Sequence, residues 1–221
     1  MRWRYLSVMF LLAAPALARA DFLHDTEAAH DWHLARVSAP GRSYFYKGPE
    51  VDGCPALTAS CRRGAYLVRG NQLLIGEVRG ALVYAAYTDG GGTATIGWLP
   101  KTSVARIAVP KQTIAAWIGS WNYDYTTIDI TRGLGPGRLK ASGMAVWGMH
   151  DPERVRRGGI HTGDFEGEAT LTGGRIRFGP TSGSEDSDCR VSLRLIGPYL
   201  AAADNGNCGG ANVSFTGVYR R

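Results

Sequence analysis

Apolar and polar side chains alternate with a period of two along most of this chain, and no stretch sustains a long helical period. Alternation predicts half-buried strands, because successive side chains of a strand point to opposite faces. Within residues 43–47 (SYFYK), Tyr44 and Tyr46 fall on one face and Phe45 on the other. The runs AYLVRG, LLIGEVRG, ALVYAAY and TIGWLP follow, each short and each punctuated by glycine or a turn. Turn signals stand at Asn71-Gln72, at Arg79-Gly80 and in the tip DGGGT over 89–93. After Trp117 about eight more strands are expected, near 118–123, 126–131, 138–148, 163–170, 174–179, 189–196, 199–203 and 212–219. Most connections are short, as at Gly133-Leu134-Gly135-Pro136. Short connections predict an up-and-down antiparallel arrangement, and closure into a barrel would remove its edges.

The tail can be read residue by residue. Val191, Leu193 and Leu195 share one face and Arg190, Ser192 and Arg194 the other. A turn centred on Gly197-Pro198 sets Leu195 opposite Leu200 and Leu193 opposite Ala202. Cys189 then lies opposite Gly206, two residues from Cys208, and a small bulge in Asp204-Asn205-Gly206-Asn207 brings the two cysteines within bonding range. Val213, Phe215 and Tyr219 share a face of a final strand.

Composition adds a compartment. Residues 1–20 have a basic start (Arg2, Arg4), an apolar centre over 6–17 and a small-x-small site at Ala18-Arg19-Ala20, the layout of a cleavable secretory signal peptide. The apolar centre is too short for a stable membrane anchor, and no transmembrane segment is expected in the mature chain. Loss of Arg2, Arg4 and Arg19 lowers the net charge from +6 to +3, that is 22 basic against 19 acidic residues. So mild an excess is no nucleic-acid footprint. The four cysteines, an even set in an exported chain, predict two disulfides rather than a zinc site. Three pairings are possible; Cys54–Cys61 with Cys189–Cys208 is the simplest. A periplasmic or secreted protein is expected, all-β, with an N-terminal arm over 21–35, a first module over 36–108, a linker over 109–116 and a second module over 117–221.

Candidate chemistry is sparse. His24, His30 and His33 lack the carboxylate or cysteine that would complete a ligand set. The longest insertion, MHDPERVRRGGIHTGDFEGE, holds His150, Asp151, Glu153, Arg154, Arg156, Arg157, His161, Asp164 and Glu166. A histidine among acids suits a general base or a metal, and three arginines suit an anion, but no nucleophile or catalytic spacing accompanies them. The default is a solvated loop at a barrel rim, with His150, Arg154, Arg156, Arg157 and His161 as candidate binding residues. The acidic loop 182–188 and the DGGGT tip match neither a calcium nor a phosphate spacing. Asn212-Val213-Ser214 fits a glycosylation tripeptide but falls on an expected strand. No cofactor is indicated.

Two resemblances extend this reading. Tyr66-Leu67-Val68, Leu73-Leu74-Ile75-Gly76-Glu77, the run 82–87 and Gly97-Trp98-Leu99 resemble a bacterial SH3-like (SH3b) domain over about 36–108. The ring closed by Cys54 and Cys61 departs from that pattern. The resemblance implies binding of cell-wall peptides or proline-rich segments in a groove formed by Tyr44, Tyr46, Tyr84, Tyr87 and Trp98. Gly119-Ser120-Trp121 with Arg220 or Arg221 resembles the calycin signature of lipocalin- and avidin-type barrels, in which a first-strand Trp packs on a last-strand Arg. It implies a barrel closed by Trp121 and Arg220 or Arg221, although the module is short for a lipocalin and lacks a second motif. The tail NGNCGGANVSFTGVYRR also resembles a recurring type of secreted bacterial protein.

Together these features predict an exported, non-enzymatic binding protein of the bacterial envelope, engaging a cell-wall component, a protein or a small ligand held in the barrel. Two alternatives are an inhibitor or immunity-type protein, with the 149–162 loop plugging an envelope hydrolase, and an enzyme with its site in the 150–166 loop.

Overall fold

The computed structural model describes residues 32–90, 92, 94–180 and 188–221. The expected signal peptide, His24, His30 and all but Asp188 of the acidic loop lie outside the described residues. The chain is all-β. Its first seven strands are β1 (His33–Val37), β2 (Arg42–Tyr46), β3 (Arg62–Val68), β4 (Gln72–Arg79), β5 (Leu82–Tyr87), β6 (Thr95–Pro100) and β7 (Val104–Arg106). They form one antiparallel sheet in the order β3-β2-β6-β5-β4-β1-β7. The sheet starts inside the stretch expected as an N-terminal arm, and Trp32 is already buried. One face of the sheet gathers Val37, Phe45, Leu67, Leu73, Ile75, Val83 and Leu99 into a single core. Side chains from six strands can meet this way only where a twisted sheet curls on itself.

After the helical turn α1 (Ile114–Trp117), eight strands follow among the described residues, the number expected, and they lie in two sheets. β8 (Gly119–Tyr123), β9 (Thr126–Arg132), β10 (Arg138–Trp147) and β11 (His161–Thr170) form one; β12 (Arg175–Phe178), β13 (Val191–Ile196), β14 (Tyr199–Asp204) and β15 (Gly217–Tyr219) form the other. Among the described residues no ladder pairs β11 with β12; the two antiparallel sheets share one core, and the Asn122–Arg220 bridge joins them on the β8 side. The tail ties them at both edges. Asn122 and Arg220 exchange backbone bonds of 2.9 and 3.1 Å beside β8, and the Gly210 N–H donates to the Thr162 carbonyl on β11 at 3.1 Å. Gly163 lies so close to the Cys208-Gly209 backbone that a Cβ there would come within 2.7 Å of the Gly209 Cα.

The β13–β14 hairpin has the register expected from alternation, with Leu195 opposite Leu200 and Leu193 opposite Ala202. Gly197 occupies the turn at φ +62°, where a side chain would be strained. Cys189 and Cys208 are bonded with Cα atoms 4.5 Å apart, and Cys54 and Cys61 at 5.8 Å. The final strand is shorter than expected: Val213 and Phe215 are buried, but residues 212–216 form a loop. The physical reason is Asp204, wholly buried at the end of β14. Its carboxylate accepts from the Gly206 N–H (2.9 Å), the Ser214 hydroxyl (3.1 Å) and the Phe215 N–H, taking donors a ladder would otherwise use.

The modules are not beads on a linker. Trp32, Leu34, Leu74 and Ala86 pack against Ile196, Tyr199, Ala201 and Val218 in a third core that spans both. All six residues of β14 are buried, Leu200 and Ala202 toward the second core and Tyr199 and Ala201 toward the first module. The Tyr199 hydroxyl donates to the Gln72 carbonyl at 2.6 Å, and Arg220 Nη1 to the Thr88 carbonyl at 3.1 Å. Burial pushes the Tyr199 phenol up to about 12, so it remains a neutral donor at neutral pH.

Candidate functional site

Cross-strand register decides which aromatic side chains meet. Tyr46 pairs with Trp98 and Trp98 with Tyr84, so Tyr44, Tyr46, Trp98 and Tyr84 share the outer face of the first sheet. Tyr87 falls on the opposite face and packs at the end of the first core. The expected groove of five aromatics is therefore split. Trp98 is only 2% exposed: the Tyr84 ring lies 5.2 Å away and the Arg79 guanidinium 5.1 Å above. Its indole N–H is buried without a partner among the described residues, facing the Gly48 turn of the disulfide-tied loop. Burial, with Glu50 adding to it, pushes the Tyr84 phenol up to about 12. These two residues act as packing, not as an open groove.

The accessible part of this face lies on β2 and β3. Tyr44 pairs with Tyr66, ring centroids 5.6 Å apart, and Tyr66 is 43% exposed. Arg42 stands over the Tyr66 ring at 4.5 Å and Arg62 over the Tyr44 ring at 5.0 Å. The pairs are diagonal across two strands, within reach of long side chains. Neither arginine has a carboxylate partner among the described residues. Sequence reasoning missed Arg42, Arg62 and Tyr66. Their spacing along the chain carried no signal, because the ladder exists only once β2 and β3 are paired. Nearby, Lys47 donates to the Ser60 carbonyl at 3.0 Å, and Arg63 to the Ile96 carbonyl at 2.6 Å.

Of the rim residues of the second module, His161 and Arg154 meet at the Trp147 ring, whereas His150, Arg156 and Arg157 find other partners. His150 Nε2 meets Asp124 Oδ2 at 2.8 Å, with the Tyr125 ring 5.1 Å away. His161 stacks on Trp147 at 5.2 Å, and its Nδ1 donates to the Ala211 carbonyl at 2.6 Å. A carbonyl only accepts, so Nδ1 carries the proton. Arg154 lies over the Trp147 ring at 4.3 Å, and Arg156 pairs with Glu153. Arg157 turns back toward the Glu153 carbonyl at 3.4 Å. The arginine contacts follow from a short helix, α2 (Pro152–Arg156), whose first turn is capped by Asp151 through the Glu153 and Arg154 N–H groups. Among the described residues no group of three or more His, Cys, Asp or Glu could hold a metal ion. His33 pairs with Ile75 within the first sheet.

Of the two candidate closing arginines, Arg221 stands over the Trp121 ring at 4.6 Å and donates to the Ile118 carbonyl at 2.9 Å. Arg220 points to the first module instead. The Trp121 indole N–H donates to the Trp117 carbonyl at 2.9 Å. Between the two sheets, Trp117, Trp121, Phe165, Phe178, Phe215 and Tyr219 occupy the interior that a barrel ligand would need. A small eight-stranded arrangement has just enough room for its own side chains, and these six are among the large ones that take up the room here. Among the described residues no helix is long and apolar enough to cross a membrane, and the two disulfides fit an extracellular or periplasmic protein. Compared with known proteins, the chain matches no protein-family model, no curated protein and no solved structure.

Proposed function

We propose that this protein is an exported, non-enzymatic binding protein of the bacterial envelope whose first module engages an anionic cell-wall polymer through the outer face of β2 and β3. The observation that carries the reading is the pair of guanidinium groups stacked over the exposed Tyr66 ring and the half-buried Tyr44 ring, with no acid among the described residues to neutralise them. An arginine held this way has lost much of its rotamer freedom before a ligand arrives, so less is lost on binding. Arg42 engages the Tyr44 side chain, and the donors that remain on the two guanidinium groups suit a carboxylate or phosphate, the groups a planar guanidinium grips with two parallel bonds. Charge distribution agrees. Residues 32–108 hold nine Lys or Arg against four Asp or Glu, whereas residues 109–221 hold thirteen against eleven. The larger basic excess thus falls in the module that carries the ladder, after a short acidic stretch over 21–31 (Asp21, Asp25, Glu27 and Asp31). The 149–162 segment, folded back through Asp151 and Arg154, offers less to an inhibitor reading than a free plug would.

The test uses the mature chain on immobilised polygalacturonate, a carboxylated glycan, with dextran as the neutral control. Retention on polygalacturonate that weakens with salt is expected. The double substitution Arg42→Ala, Arg62→Ala should weaken it about tenfold or more, each lost charged hydrogen bond being enough for such a change. Equal retention on dextran, or an unaffected double variant, would remove the proposal.

A further inference from the structure

We infer that the crevice between the two modules is a binding site for a small ligand bearing a free carboxylate, anchored by Arg220. The crevice measures about 330 Å³ and is lined by Gly70, Asn71, Gln72, Tyr87, Pro198 and Arg220. That volume lies at the lower end for small-molecule sites, which favour domain boundaries. Both modules build it: the β3–β4 turn and the end of β5 from one, the β13–β14 turn and the C-terminal tail from the other. The shared apolar core beside it holds the two walls together.

The chemistry of the lining selects an anion. Arg220 spends one N–H on the Thr88 carbonyl and rests over the Tyr199 ring at 5.6 Å. A guanidinium has five donors, and no carboxylate among the described residues takes the rest. Asn71 commits its side-chain oxygen to the Val68 N–H at 2.8 Å, which leaves the amide NH₂ as its free end. The Gln72 carbonyl is already taken by Tyr199, so Gln72 has its side-chain amide to offer. The lining has no acidic residue. A cation, two amides and a phenol around a space too small for a polymer fit one carboxylate, either the end of a short chain or a small organic acid.

The experiment titrates N-acetylalanine, its carboxamide and acetate into the isotope-labelled mature chain and follows backbone amide shifts. N-acetylalanine should shift Gly70, Asn71 and Gln72 saturably, with the carboxamide about tenfold weaker or worse, because it lacks the charge. Acetate binding as tightly as N-acetylalanine would assign a free acid, and weaker acetate binding a chain end; either supports the carboxylate. Arg220→Gln should cost at least about tenfold in affinity. Should that variant fail to fold, Gln72→Glu tests the same idea while leaving the backbone carbonyl that Tyr199 uses; it should abolish N-acetylalanine binding by like-charge repulsion. The Arg42→Ala, Arg62→Ala variant should bind as wild type, which separates this site from the outer face. Equal binding of the carboxamide, a folded Arg220→Gln or Gln72→Glu chain that binds unchanged, or no saturable shift at the crevice would overturn the inference.

Discussion

At the scale of single residues, Asp204 has the most to hold. It is the one wholly buried carboxylate among the described residues, and three donors from the following loop converge on it. Removing it would strand the Phe215 and Gly206 N–H groups, each costing about 1–3 kcal/mol if no water reaches it. Asp204→Ala should therefore lower stability by about 3 kcal/mol in urea unfolding of residues 21–221. A cost under about 1 kcal/mol would mean that the loop finds other partners. Arg220 and Arg221, adjacent in sequence, illustrate how far one residue matters: a strand places consecutive side chains on opposite sides, so one reaches Trp121 and the other the first module.

At the scale of elements, the 205–216 loop acts as a strap. It leaves β14, crosses β11 through the Gly210–Thr162 bond and returns to β15. Cys208 fixes its start to Cys189 across 19 residues. In the chain-entropy picture a loop of that length is worth about 3 kcal/mol, through restriction of the unfolded chain. The double variant Cys189→Ala, Cys208→Ala should lose about that much stability in chemical denaturation. No change would show that the Asp204 bonds alone fasten the strap. The hairpin and its disulfide were legible in the sequence because the alternation and the Gly197-Pro198 turn are local. The loop that replaces the start of the last strand was not, since it depends on a carboxylate buried by a different element.

At the scale of the molecule, the shared core predicts that the two modules unfold together. Leu34, Leu74, Tyr199 and Val218 are almost wholly buried where the modules meet. Neither face would be satisfied alone, because exposing it returns a contiguous apolar patch to water. Calorimetry of residues 21–221 should give a single transition, with calorimetric and van't Hoff enthalpies equal. Val218→Asp, which sets an unpaired charge in that core, should lower this transition as a whole by about 4 kcal/mol. Two separate transitions in the wild type would contradict the single unit. The continuous apolar runs LLI in β4 and YLAAA in β14 carried this information, since a strand buried on both faces loses its alternation.

The all-β class, most strand positions and the β13–β14 register could be read from the sequence, as could the simplest of the three cysteine pairings. Each of these follows from terms that act over a few residues: side-chain alternation, turn chemistry and the short reach of a disulfide. Only the tertiary structure decided which exposed side chains became neighbours. The Arg42–Tyr66 and Arg62–Tyr44 stacks required β2 to pair with β3, and the crevice around Arg220 required β14 to lie against the first module. Strand order and module contact are set by the burial of apolar faces far apart in the chain, and the polar sites arise where those faces end.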